Sequence, residues 1–410
     1  MEDQQILQFP NGIRIVHKQV NNTKIIHCGF IIDIGSRDEH SESQGLAHFW
    51  EHMVFKGTHK RKAYHIINRL ESVGGELNAF TTKEKICFYA SVLEEHFEMA
   101  VELLTDITFN SIFPEKQIEK ERIVILDEMA MYLDNPEDSL QDDFDKVVFG
   151  DHSLGNNILG TEQSLNSIKK HDFLSFIDSN LSNEGIIFSV VGSASSKKVF
   201  NTVGKYLSQL PRFESGNKRG KPEKICGLRI TEDKKFTRAY CAIGGQGYDI
   251  TDDDRLPFFM LINLLGGPAL NSRLNLSLRE KHGYVYSVDA SYSSFTDTGI
   301  FGIFFGTEKK YLNRSIKLVM RELKQVKDKK LGTLQLHKAK QQLKGQLAMA
   351  EENNTNLMLM MGRSLLDQGK IDSLDSVFNR INEVSSVKLM DISNEMFNES
   401  ELNYLIYQPL

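Results

Sequence analysis

Apolar residues recur at helical spacing in several stretches of this chain and crowd together as strand in others. Residues 115–133, EKQIEKERIVILDEMAMYL, hold neither Gly nor Pro and are rich in helix formers, which predicts one helix of about five turns. Residues 338–353, KAKQQLKGQLAMAEEN, are helix formers throughout except for Gly345 and predict a long counterpart helix in the other half. Shorter helices are expected at about 95–108 and 309–327. After the Gly74–Gly75 break, ELNAFTTKEKICFYASV mixes β-branched and aromatic residues and reads as strand. Around position 50, apolar Leu46, Phe49, Trp50, Met53 and Phe55 predict a helix packed on a sheet. The methionines of NLMLMMGRS, 356–364, read as core filling.

The order of elements repeats. RLESVGGELNAF (69–80) aligns with SLREKHGYVYSV (277–288); each follows a helix and leads into strands, the second into SYSSFTDTGIFGIFFGT. The helices at 95–108 and 309–327 follow in the same order, so the chain is read as an internal duplication. The join is PRFESGNKRGKPEK, 211–224, rich in Pro, Gly and charge and without apolar periodicity. The expected organisation is a domain over 1–212, a linker over 213–224 and a second domain over 225–410, each of ordinary size.

Composition removes several classes of function. A net charge of −6 and the lack of a basic stripe with interleaved aromatics argue against nucleic-acid binding. No apolar run approaches membrane-spanning length, and MEDQQILQFPNG has neither the basic start and apolar core of a signal peptide nor the Arg-rich character of a mitochondrial leader, so a cytoplasmic location is expected. Cys28, Cys87, Cys226 and Cys241 lie far apart and form no CxxC; reduced thiols are expected.

The chemistry concentrates at HFWEH, 48–52. On a helix, His48 and His52 project from one face and can bind one metal ion, with Glu51 beside them. With 12 His in 410 residues, chance supplies HxxEH about 0.02 times per chain. Either His alone reads as a core histidine satisfied by carbonyls; the pair with Glu51 reads as an inverted zinc-peptidase constellation. Catalytic zinc takes three protein ligands and leaves a position for water. The 115–133 helix offers Glu121 and Glu128, seven apart on one face, with Asp127 turned about 100 degrees away. Glu128 stands among Ile125, Leu126, Met129 and Met131, which sets it apart from a solvated charge, whereas Glu121 also reads as a salt-bridged surface residue beside Lys120 or Arg122.

The stretches GSRDEHSESQGLAHFWEHMVFKGT, GGELNAFTTKE at 74–84, ERIVILDEM at 121–129 and HSLGNNILGT at 152–161 together resemble the pitrilysin and insulinase family, in particular its short two-domain processing-peptidase branch. The resemblance implies an α+β fold of two homologous domains, each a mostly antiparallel sheet with helices packed on one face. It implies one zinc per chain, held by His48, His52 and a Glu about 76 residues further on, which is Glu128. Glu121 would support that site, and Glu51 would be the general base. Asn78, Ala79 and Phe80 would lie on an edge strand where a peptide adds as one more strand. LREKHGYVYSV resembles the family's Arg and Tyr pair, here Arg279 and Tyr286, which would bind the substrate carbonyl and the oxyanion. Read as residues alone, Arg279 is a surface helix cation paired with Glu280 or a nearby Asp, and Tyr286 an interior strand residue whose hydroxyl reaches the edge; the resemblance reverses that reading. Trp50 stands where the family more often has Leu.

The resemblance also implies that two chains supply the four domains of a closed chamber, so a homodimer acting on peptide substrates is expected, with a heterodimer alongside an inactive homologue as the variant. Three functions are weighed: a zinc endopeptidase, a peptide-binding or assembly subunit on the same fold, and a non-peptidase zinc hydrolase. Intact His48, Glu51, His52 and Glu128 favour the first over the second, and the GGELNAF strand favours it over the third.

Overall fold

Residues 186–192, IIFSVVG, are buried at every position, so this strand needs cover on both faces of its sheet. The computed structural model describes residues 4–216 and 218–410; Met1–Asp3 of the expected first domain and Asn217 of the expected linker lie outside the described residues. In the first sheet the strands β1 (Gln4–Gln8), β2 (Arg14–Gln19), β3 (Ile25–Ile32), β4 (Glu76–Thr81), β5 (Ile86–Leu93) and β6 (Ile186–Gly192) run in the order β1-β2-β6-β3-β5-β4. Only β2 and β6 pair in parallel; every other ladder is antiparallel.

One face of this sheet is covered by helices of its own half. Phe30, Phe88 and Phe188 pack there with Phe97, Leu104 and Val199 from helices 97–109 and 196–207, and with the helix α1 (Leu46–Met53). The opposite face receives a helix from the far half of the sequence. Leu357, Met358, Met361 and Leu365 bury against Val16, Ile31, Cys87, Ile187 and Val191. The approach is close: a Cβ on Gly362 would meet Ile31 Cδ1 at 2.4 Å, and Ser189 Oγ donates to the Met358 carbonyl at 2.6 Å. Met358 and Met361 therefore fill a core, as expected, whereas Met360 and Met349 face solvent.

The second sheet holds β7 (Arg229–Lys234), β8 (Ala239–Gly247), β9 (Val285–Ser294), β10 (Gly299–Thr307) and β11 (Asn403–Pro409) in the order β7-β11-β8-β10-β9. This repeats β2-β6-β3-β5-β4 strand for strand, including one parallel pair, β7 with β11, at the same place. The chain is thus an α+β duplication. The helices expected at 115–133 and 338–353 are α2 (Glu115–Asp134) and, after α3 (Pro136–Phe149), α4 (Thr333–Glu352); α5 (Asn354–Gln368) is the helix that covers the first sheet. In return α3, from the first half, packs Leu140, Phe144 and Val148 on Ala242, Leu405 and Tyr407 of the second.

The exchange sets the two compact units. The first comprises the chain up to Met129, Asn157–Arg219 and Met349–Ile371; the second comprises Ala130–Asn156, Gly220–Ala348 and Asp372–Leu410. The chain passes from one to the other five times: inside each of the 20-residue helices α2 and α4, after Asn156, after Arg219 within the expected linker, and after Ile371. Arg219 ends the first unit firmly: its guanidinium donates to both Asp38 carboxylate oxygens at 2.8 and 2.7 Å and to Asp33 Oδ1 at 2.8 Å. Among the described residues, no helix is long and apolar enough to cross a membrane.

Candidate metal centre

The helix α1 carries two stripes. Leu46, Phe49, Trp50 and Met53 fall at i, i+3, i+4 and i+7 and are buried in the core, which fixes the helix rotation. His48, Glu51 and His52 occupy the other face. Trp50, the departure from the family pattern, is fully buried and stacks edge-on with Phe88.

A helix of two turns has little stability of its own, and its start is held from outside. The Glu39 carboxylate accepts from the Gly45 amide at 2.8 Å and from the Ala47 amide at 2.7 Å, in the place where a capping side chain would act. Burial pushes the Glu39 carboxyl up to about 8 against these two hydrogen bonds, so it serves the helix start as an acceptor for free amides, worth about 0.5–2 kcal/mol. Gly45 has φ of 90°, and a Cβ on it would meet the Leu159 carbonyl oxygen at 2.5 Å, so the turn into α1 demands glycine. Behind it, Ser164 donates to the Gln44 carbonyl at 2.7 Å. Leu159 and Gly160, from the end of the HSLGNNILGT stretch, thus back the start of the helix that bears the histidines.

The helix α2 brings Glu128 to the polar stripe of α1. Glu128 Oε2 lies 3.8 Å from His48 Nε2 and 3.6 Å from His52 Nε2, and one ligand atom from each of the three residues lies within 4.8 Å of the others. These separations exceed a hydrogen bond. They approach the spacing of about 3.4 Å that neighbouring ligand atoms take around a tetrahedral zinc with bonds near 2.1 Å. Burial, then the neighbouring His52, pushes the His48 imidazole down to about 3, which keeps it neutral as a ligand must be. Two imidazoles and one carboxylate with room for water is the donor set of catalytic zinc, so the residues present fit the ion.

Glu121 stands behind the second ligand. Its Oε1 lies 3.7 Å from His52 Nδ1, and its Oε2 pairs with Lys56. Burial raises the Glu121 carboxyl, but the approach of His52 and the Lys56 ammonium outweigh it and hold the group below its ordinary value. A carboxylate on the far nitrogen of a ligating histidine fixes its ring. His48 has no such neighbour: its Nδ1 is buried without a hydrogen-bond partner among the described residues.

Glu51 leans toward the sheet. Thr81 Oγ1 donates to Glu51 Oε2 at 2.6 Å. Burial raises the Glu51 carboxyl and nearby Glu128 adds to the rise, against the Thr81 hydrogen bond and His52, for a net upward shift. Thr81 ends β4, which bonds only to β5 and so leaves its other edge without a strand among the described residues. Asn78, Ala79 and Phe80 sit on that strand opposite Tyr89, Phe88 and Cys87.

Arg279 and Tyr286 belong to the second unit and lie together there. Arg279 stands in a wide π-helical turn over 275–281, with its guanidinium carbon 5.7 Å from the Tyr286 ring centre and its Nε 3.7 Å from Glu280. Tyr286 is 78% exposed on β9, the edge strand of the second sheet. The structure therefore gathers His48, Glu51, His52, Glu121 and Glu128 in one unit and Arg279 with Tyr286 in the other. Sequence reasoning missed Glu39, Lys56 and Thr81. Thr81 adjoins the NAF strand and was in reach; no spacing rule points from Glu39 to the amides of residues 45 and 47.

Comparison with known proteins covers the same residues. The insulinase (peptidase family M16) model matches residues 14–162, and the peptidase M16 inactive domain matches 167–343. An uncharacterized zinc protease of Bacillus subtilis is 32% identical over 389 residues, 95% of this chain and 94% of its own. Another, of Rickettsia felis, is 31% identical over 405 residues, 99% of this chain and 98% of its own. A protease from Helicobacter pylori shares the fold with a TM-score of 0.92 at 21% identity, over 99% of both chains. A peptidase M16 inactive domain from Pseudomonas fluorescens does so with a TM-score of 0.92 at 17% identity, over 100% of this chain and 98% of its own. Relatedness along nearly the whole length, with the histidine pair and both glutamates inside the matched region, shows that this chain belongs to the insulinase family, peptidase family M16.

Proposed function

We propose that this protein is a zinc-dependent endopeptidase that hydrolyses peptides or unfolded polypeptides. The observation that carries the reading is the convergence of His48, His52 and Glu128 within 4.8 Å of one another, with Glu51 on the same helix face. Zinc held by these three residues supplies Lewis acidity, bringing the pKa of water toward 7 and polarising a carbonyl. Glu51 takes the proton of the attacking water and delivers it to the leaving amine. The hydrogen bond from Thr81 fixes which carboxylate oxygen is free for that task. Glu121, 3.7 Å from the outer nitrogen of His52, places a negative charge behind that ring. A substrate strand pairs with the open edge of β4, where main-chain hydrogen bonds are indifferent to sequence and place its backbone beside Glu51.

Chelation tests the reading directly. Purified protein given a mixed pool of quenched unfolded peptides should cleave them, stop when zinc is stripped, and resume on zinc restoration. No cleavage by the zinc-loaded protein would sink the peptidase and favour a peptide-binding subunit.

Arg279 and Tyr286 complete the reading in a homodimer, where they serve the zinc site of the partner subunit: Arg279 grips a substrate carbonyl and the Tyr286 hydroxyl donates to the oxyanion. The exposure of Tyr286 suits a group that acts outside its own unit. Glu51→Gln and Arg279→Ala chains, each inactive alone, should recover part of the activity after mixing and subunit exchange. Failure to recover after exchange has been verified would place the pair elsewhere. All four cysteines are free and three are buried, which suits action in the reducing cytoplasm.

A further inference from the structure

The strand β4 alternates as a strand must. Leu77 and Ala79 pack on the core that holds α1, Phe80 turns to the core built on α5, and Thr81 turns back to meet Glu51. Above Phe80 stands Arg363 of α5, its guanidinium carbon 4.9 Å from the ring centre. The aromatic face holds the guanidinium in place. Its Nε is buried and has no hydrogen-bond partner among the described residues, and the neighbour of the group in the core is the neutral Cys87 thiol. The acid one turn further along α5, Asp367, is occupied by Lys85 at 2.7 Å, and among the described residues no carboxylate pairs with Arg363. A half-buried arginine with an unanswered charge therefore flanks the edge strand, on the face opposite the histidines.

A peptide lying beside β4 alternates in the same way, so every second side chain passes the α5 face. We propose that Arg363 is a specificity-determining residue that selects an Asp or Glu side chain at the substrate position beside Phe80. This rests on the edge-strand reading of substrate binding given above. The guanidinium fork offers paired donors that match a carboxylate. The nearest acid on the same face of β4, Glu76, stands four residues away, roughly 13 Å along the strand, and at that distance it does not neutralise Arg363 across ordinary salt.

The experiment uses zinc-loaded Glu51→Gln protein, which binds without turnover, and fluorescent unfolded peptides in which one position at a time is Glu, Gln or Lys. At one position the Glu peptide should bind about 10-fold more tightly than the Lys peptide, as one charge-assisted pair provides, with the two adjoining positions indifferent. Adding Arg363→Glu should reverse the order and Arg363→Gln should abolish it; the second variant serves if the first does not fold. Equal binding of Glu and Lys peptides at every position, or a preference that survives Arg363→Gln, overturns the proposal. The same peptides given to wild-type protein separate the two readings. Charge-selective binding without cleavage by the wild type sinks the peptidase and keeps the Arg363 site, whereas cleavage without charge preference does the reverse.

Discussion

Glu51→Gln should bind zinc as the wild type does and hydrolyse peptides about 10²–10⁴-fold more slowly, the range a positioned general base contributes. The substitution changes one oxygen to nitrogen and leaves the volume of the side chain as it was. An amide oxygen can still accept from Thr81 Oγ1, so the contact between α1 and β4 persists. Glu51 contributes no atom to the cluster of His48, His52 and Glu128, so the ligand set is intact. What disappears is the only group on this face of α1 that can both take and return a proton without leaving the zinc. Zinc content by metal analysis and peptide turnover on the same preparation decide the matter. A variant that keeps a tenth of the wild-type rate would remove Glu51 from the role of base, and one that loses its zinc would make Glu51 a support of the site.

The complementary expectation concerns the metal itself. Glu128→Gln replaces an anionic ligand by a neutral amide, and activity should fall together with zinc affinity. Loss of an outer support in such a site costs roughly 10–100-fold in affinity, so loss of a ligand should exceed about 100-fold. Glu121 provides the scale. It approaches His52 only at the outer nitrogen and shares its charge with Lys56, so Glu121→Gln should weaken zinc by the smaller amount and keep measurable turnover once zinc is in excess. Competition with a chromogenic chelator measures both. Equal affinities for the two variants would mean that the carboxylates share the metal instead of dividing into ligand and support.

The stretch that mattered most was legible because its information is local. The stripe Leu46, Phe49, Trp50, Met53 and the stripe His48, Glu51, His52 follow from 3.6 residues per turn, whatever the helix packs against. The same period puts Glu121 and Glu128 on one side of α2. The duplication was legible too, since element order repeats along the chain. It was confirmed in detail by β7-β11-β8-β10-β9 matching β2-β6-β3-β5-β4.

What periodicity leaves open is the identity of the partner. Met358 and Met361 announce an apolar face, but the same face would satisfy any sheet of the right curvature, and only the tertiary structure gives it to the first sheet while α3 goes to the second. Glu39 reached its role by folding back onto amides six and eight residues away, through a turn that Gly45 alone permits. Arg363 lies 283 residues from Phe80 in the chain and 4.9 Å from its ring in space. Helices, metal-ligand types and the repeat could be read along the chain, because these are set by neighbours within a turn or two. Which faces meet, which strand is left at an edge and which charge goes unanswered were decided only in three dimensions, where burial and hydrogen bonding act between residues that no local pattern connects.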